Sequence, residues 1–90
     1  MDKTIWKNHP MVPDHIRETI LAYINDRRPT GGFLEAVISN NLVESFARAD
    51  EINQRAMFYI VSFFYNKAPM ACWGSKARYE EWIKGEGKNG

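Results

Sequence analysis

Cysteine occurs once, at position 72, in a chain of 90 residues. A single thiol excludes an intramolecular disulfide and leaves no thiolate set for zinc, which makes a reducing cytoplasm the expected setting. An excess of one charge is also missing. The 12 Lys plus Arg face 11 Asp plus Glu, a net +1 with neutral histidines, which argues against a protein that coats nucleic acid. Long hydrophobic runs are absent too. The longest nearly apolar stretch, Ala56 to Tyr65, is about half of the roughly 20 residues that a membrane-crossing helix needs, and Ser62 interrupts it. Met1 to Asn8 alternate charge and bulk with no apolar stretch and cleavage site behind them, so no signal peptide is expected. No strand pattern, internal repeat or low-complexity tract is legible outside a Gly-rich tail, residues 86–90, which is expected to be flexible.

What the chain does have is 44% hydrophobic and 13% aromatic residues, enough for one compact domain over residues 1–85. A chain this short buries only roughly 60 to 65% of its unfolded surface, so its stability is expected to be modest unless it oligomerises or binds something.

The periodicity is helical. Pro13 pre-sets a first helical turn, Asp14 and Glu18 suit its positive end, and Ile16, Ile20, Tyr23 and Ile24 form one apolar stripe, which predicts an amphipathic helix over residues 13–27 stopped by Pro29. A turn over Asp26 to Gly32 leads into a short apolar segment, Phe33 to Asn40. Asn40 tolerates a left-handed conformation, and Asn41 can cap a following helix built on Leu42, Val43, Phe46 and Ala47. The sequence leaves open whether residues 33–48 are two helices or one kinked helix. Asp50 is the next cap, and Ile52, Ala56, Tyr59, Ile60 and Phe63 carry the period to about Lys67, before Pro69. Nine of the ten residues from Ala56 to Tyr65 are apolar or aromatic, so this helix is expected to be covered all round, centrally in a monomer or partly as a subunit interface. Ser75 caps a last helix with Tyr79, Trp82 and Ile83 inward and Gly85 at its end. The expected fold is all-α: four or five short helices around one aromatic-rich central helix, in a homo-oligomer.

Catalytic chemistry finds little support. Cys72 would need His9 or His15 beside it to act as a nucleophile, and a small buried apolar residue is the simpler reading. Ser75 after Gly74 lacks the flanks of a hydrolase elbow, and the spacing of His9 and His15 suits no metal site. No enzyme activity, cofactor or metal is therefore expected. Gly31 and Gly32 fail as a nucleotide-hydrolase loop, since Phe33 and Leu34 follow them. They leave either a plain turn with solvated Arg27 and Arg28 or a weak anion site.

Two constellations are more informative. Arg48, Asp50, Asn53 and Arg55 gather at a helix junction, where capping and a local Arg to Asp pair explain most of them and a partly buried Asn53 would need a partner. The stretch from Tyr65 to Ser75 carries Asn66, Lys67, Met70, Cys72 and Trp73, too much apolar bulk to face water. Either it packs as core, or Trp73, Tyr79 or Tyr65 supply aromatic faces and Asn66, Lys76 or Arg78 polar contacts for a base-stacking pocket.

The runs Gly32 Phe33 Leu34 Glu35 Ala36 Val37, Asn40 Asn41 Leu42, Arg48 Ala49 Asp50 with Asn53, and Tyr65 Asn66 Lys67 Ala68 Pro69 with Cys72 Trp73 Gly74 Ser75 resemble a family of small proteins encoded by bacteriophages and prophages. The similarity covers about residues 12–83; where the family's pattern often has Asp, this chain has Asn41. The resemblance implies a phage accessory protein in a host bacterial cytoplasm and carries no assigned activity. Two function classes follow. One is a counter-defence sponge, an oligomer sequestering a nucleotide-like small molecule with Arg48, Asn53, Asn66, Trp73 and Lys76 as ligand-binding residues. The alternative is a protein inhibitor or adaptor that docks an exposed aromatic patch on a host or defence protein. The sponge predicts a concave pocket shared by Trp73 and an Arg or Asn, and the adaptor a flat patch. Nucleic acid would require Arg27, Arg28, Lys76, Arg78 and Lys84 on one face, and neither it nor a membrane is expected as a partner.

Overall fold

A computed structural model describes residues 1–85; the expected flexible tail, residues 86–90, lies outside the described residues. Among these the chain is all-helical, with no strand. A 3-10 helix over Lys3–Asn8 opens it, capped by the Asp2 side chain, which accepts the Thr4 N–H at 3.1 Å. The charge alternation of this segment hid a buried anchor, Trp6, whose ring lies 4.8 Å from that of Phe63.

Helix α1 (Asp14–Asp26) buries Ile16, Ile20, Tyr23 and Ile24, the stripe that the spacing predicts. It ends two residues short of Pro29 because Arg27 turns left-handed, at φ 59°, and donates its N–H to the last carbonyls. Arg27 is no solvated turn residue. Its guanidinium lies 3.7 Å from the centroid of the Trp82 ring and donates to the Trp82 carbonyl at 3.2 Å.

Helix α2 (Gly32–Ile38) and helix α3 (Leu42–Arg48) are separate. Asn40 takes the left-handed conformation between them (φ 61°), and the Asn41 side chain caps α3 by accepting the Glu44 N–H at 3.2 Å. The Asn41 carbonyl in turn accepts the Ser45 hydroxyl at 2.6 Å. The inward face of α3 differs from the expectation: Ser45 is buried, while Leu42, Val43 and Phe46 face outward.

Asp50 caps helix α4 (Glu51–Arg55), and α5 (Met57–Lys67) continues from it after a bend at Ala56. The single helix expected from Asp50 to about Lys67 is thus two, joined through Ala56, whose N–H donates to the Ile52 carbonyl and whose carbonyl accepts the Ile60 N–H. The expected stripe holds at Ala56, Ile60 and Phe63 but not at Ile52 and Tyr59, which are exposed, while Asn53 and Met57 are buried. Helix α5 is not covered all round. Met57, Ile60, Phe63 and Phe64 reach the core, but Phe58 and Tyr65 are 73% and 74% exposed. A chain of this length has too few helices to wrap a fully apolar one.

A 3-10 turn over Met70–Cys72 leads to α6 (Lys76–Lys84), capped by Ser75, whose Oγ accepts the Arg78 N–H at 3.1 Å. Gly74 permits the entry. At φ 111° it occupies a region that other residues avoid, and its N–H donates to the Ile38 carbonyl at 2.7 Å, tying α6 to the end of α2. Tyr23 joins three elements at the centre. Its hydroxyl donates to the Cys72 carbonyl at 2.6 Å, its carbonyl accepts the Trp82 indole N–H at 2.8 Å, and its ring stacks on Tyr79 at 5.4 Å.

Candidate functional site

The left-handed residue Asn40 folds α3 back beside α2, and the mouth of this hairpin meets the first turn of α6. Side chains one helical turn apart share a face, so Glu35 with Ser39 and Glu44 with Arg48 line facing walls. Gly32, Ala36, Asn41 and Lys76 complete a recess of about 370 Å³. Arg48 is held at its edge by Glu44, Nε to Oε2 at 3.2 Å. A Cβ on Gly32 would stand 2.8 Å from the Arg48 guanidinium, so the bare backbone at the start of α2 is what lets the arginine lie there. The Ser39 hydroxyl is buried in the wall without a protein partner. Two cations face two carboxylates, an arrangement that suits a ligand bearing both an anionic group and amine donors better than a bare phosphate.

A second, smaller cleft of about 100 Å³ lies between α3 and α5, lined by Val37, Asn40, Leu42, Ser45, Met57, Val61, Phe64 and Trp73, with Asn41 bordering both hollows. The indole of Trp73 meets the Tyr65 ring edge-on at 6.2 Å.

The fold thus brings Arg48 and Lys76 together and sets Trp73 across Asn41 from them. Trp73 shares its cleft with asparagines but not with Arg48 or Asn53, so the single pocket expected around the tryptophan loop is two hollows. Asn53 and Asn66 lie outside both. Asn53 is buried at the start of α4, its N–H donating to Asp50 at 2.7 Å and its side-chain oxygen unpartnered. Asn66 is exposed on the flank of α5, and its Nδ2 donates back to the Ser62 carbonyl at 2.9 Å. The expected Arg to Asp pair is replaced by pairs within helices: Arg48 with Glu44, and Arg55 with Glu51 at 3.5 Å, while Asp50 meets His15 at 3.4 Å. Tyr79 offers no free face, being stacked on Tyr23, and Arg78 clips the preceding loop by donating to the Met70 and Trp73 carbonyls, both at 3.3 Å. Glu35, Ser39, Asn41 and Glu44 were missed as site residues. Their only signal was the four-residue spacing on either side of a residue suited to a left-handed turn.

Cys72 is fully buried, and burial pushes its thiol from 9.0 up to about 11, the reverse of an activated nucleophile. His9 sits edge-on to Phe63 at 5.3 Å. Among the described residues no group of three or more His, Cys, Asp or Glu side chains could hold a metal, and no helix is long and apolar enough to cross a membrane. No protein-family model, curated protein or solved structure significantly matches the chain. The fold and the hollow therefore define a class only: a small all-α bundle with a charge-lined recess at a helix hairpin.

Proposed function

We propose that this protein acts by occupancy: it is a phage or prophage accessory protein, working in the host bacterial cytoplasm, that sequesters a nucleotide-like small molecule and transforms nothing. The observation that carries the reading is the recess of about 370 Å³ lined by Arg48, Lys76, Asn41, Glu35 and Glu44, which falls in the usual size range of small-molecule sites. Lys76 and Arg48 would take the anionic group, Glu35 and Glu44 the amino groups of a base, and the Ser39 hydroxyl has its hydrogen-bonding capacity free. Trp73, one asparagine away, offers an aromatic surface beside the mouth. The phage setting rests on the sequence resemblance.

Native mass spectrometry of the protein purified from a bacterial host tests this, alongside titration calorimetry with nucleoside monophosphates and cyclic dinucleotides. An added nucleotide-range mass that is lost in Lys76→Ala and Arg48→Ala is the expected result. Each lost charge-assisted contact should weaken binding about tenfold or more. Retention of the same mass by the double variant would refute the site.

A second reading, a protein inhibitor or adaptor, is favoured by the shallow apolar hollow of Met11, Val12, Ile52, Ala56 and Tyr59, which is open enough for a flat contact. Tyr59→Glu would then abolish capture of a specific host protein and leave nucleotide binding untouched.

A further inference from the structure

We infer that Gly32 and Glu44 are positioning residues for Arg48: between them they preorganise its guanidinium at the edge of the recess, so that its two terminal nitrogens grip the anionic group of the ligand through two of its oxygens. The inference rests on the recess being the binding site and assigns the residues that set its cation. Gly32 is helical and has no positive φ, so its backbone does not call for glycine, and alanine would favour the helix. The reason for glycine is space. The three atoms nearest to a Cβ placed there all belong to the Arg48 side chain: Nη1 at 2.8 Å, Cδ at 3.4 Å and Cζ at 3.5 Å. The missing side chain is thus a notch that the arginine fills. One residue earlier, a Cβ on Gly31 would meet nothing within 4 Å, so the crowding belongs to Gly32 and not to the turn as a whole.

Glu44 holds the same side chain from one turn back on α3, its Oε2 accepting from Arg48 Nε at 3.2 Å, and its Oε1 is left for an amino group of the ligand. With Nε spent in this way, the fork keeps Nη1 and Nη2, from which no protein group accepts among the described residues. Their planar donors match two oxygens of a phosphate or carboxylate, which a lysine, as a point charge, does not. Both side chains are about half-exposed, so the pair adds little to stability. Its consequence falls on binding, because an arginine already seated loses less conformational freedom when the anion arrives.

Titration calorimetry of the full chain with nucleoside monophosphates and cyclic dinucleotides, paired with the NMR signal of the Arg48 Nε–H recorded without added nucleotide, tests this. Gly32→Ala should shift that signal and weaken binding about tenfold or more, with Tm unchanged or higher. Gly31→Ala should leave both signal and affinity as in wild type. In an Arg48→Ala background Gly32→Ala should weaken binding no further, because the added methyl then meets no arginine. Glu44→Ala should move the same signal and weaken binding, and Glu44→Gln, whose side-chain oxygen still accepts from Nε, should recover part of the loss. Wild-type affinity in Gly32→Ala or in Arg48→Ala, or an equal loss from Gly32→Ala in both backgrounds, would overturn the inference and leave the recess standing as the site. Failure of wild type to take up any of these nucleotides would overturn both.

Discussion

Removing a single oxygen atom from Tyr23 should measurably loosen the whole domain. The hydroxyl donates to the Cys72 carbonyl at 2.6 Å, and both residues are fully buried. Tyr23→Phe keeps the ring and its stack on Tyr79, so little packing changes. What is lost is one short buried hydrogen bond, and the Cys72 carbonyl is left without that donor. An unsatisfied buried group of this kind costs about 1–3 kcal/mol. For a domain of this size that corresponds to a fall in Tm of roughly 5–15 °C, read by circular dichroism melts and urea titration at pH 7. A loss below about 0.5 kcal/mol would refute the reasoning, because the carbonyl would then have another donor. The pH dependence supplies an independent check. Burial, the largest cause, and the neighbouring Cys72 and Tyr79 hold the Tyr23 phenol above its ordinary 10.0. Its stabilising contribution is therefore fully present below pH 10 and is lost as pH rises, because the unfolded chain ionises there while the folded one does not. The phenylalanine variant lacks that loss, so its deficit at pH 7 should narrow by pH 11.

Three further outcomes are expected. Cys72 should resist iodoacetamide at pH 8 in the folded protein and react in urea, and its thiol, raised from 9.0 to about 11, should remove stability as pH climbs from 9 to 11; rapid labelling without denaturant would contradict its burial. Gly74→Ala should cost about 1–3 kcal/mol in a urea titration, because its φ of 111° is reserved for glycine and a Cβ would press on Arg78 at 3.2 Å. Arg27→Lys should lower Tm and shift Trp82 fluorescence although Arg27 lies in a surface turn, because lysine cannot reproduce both the stacking over the indole and the hydrogen bond; an unchanged emission spectrum would count against that contact.

Local chemistry explains what was legible in the chain. The caps Asn41, Asp50 and Ser75, the left-handed Asn40 and the stripe of α1 depend on neighbours within four residues, and each stands where the spacing places it. The charge lining was only half legible. Arg48 and Lys76 could be named from the sequence, and Glu44 lies one turn from Arg48 on α3, but Glu35 shares their recess only because Asn40 folds α3 back against α2. Asn53 and Asn66 fell outside the hollows because of where their helices place them: Asn53 is buried at the start of α4, and the Asn66 side chain bonds back to the Ser62 carbonyl of its own helix.

Sequence by itself therefore determined an all-helical chain, where α1, α3, α4 and α6 begin, and that one stretch is too apolar for water, but neither the opening turn over Lys3–Asn8 nor the break at Ala56. Tertiary structure alone decided which side of that stretch is covered. Periodicity reports how residues are phased around an axis, whereas burial depends on which helices arrive on each side, and 85 described residues supply enough of them to cover Ile60, Phe63 and Phe64 but not Phe58 and Tyr65.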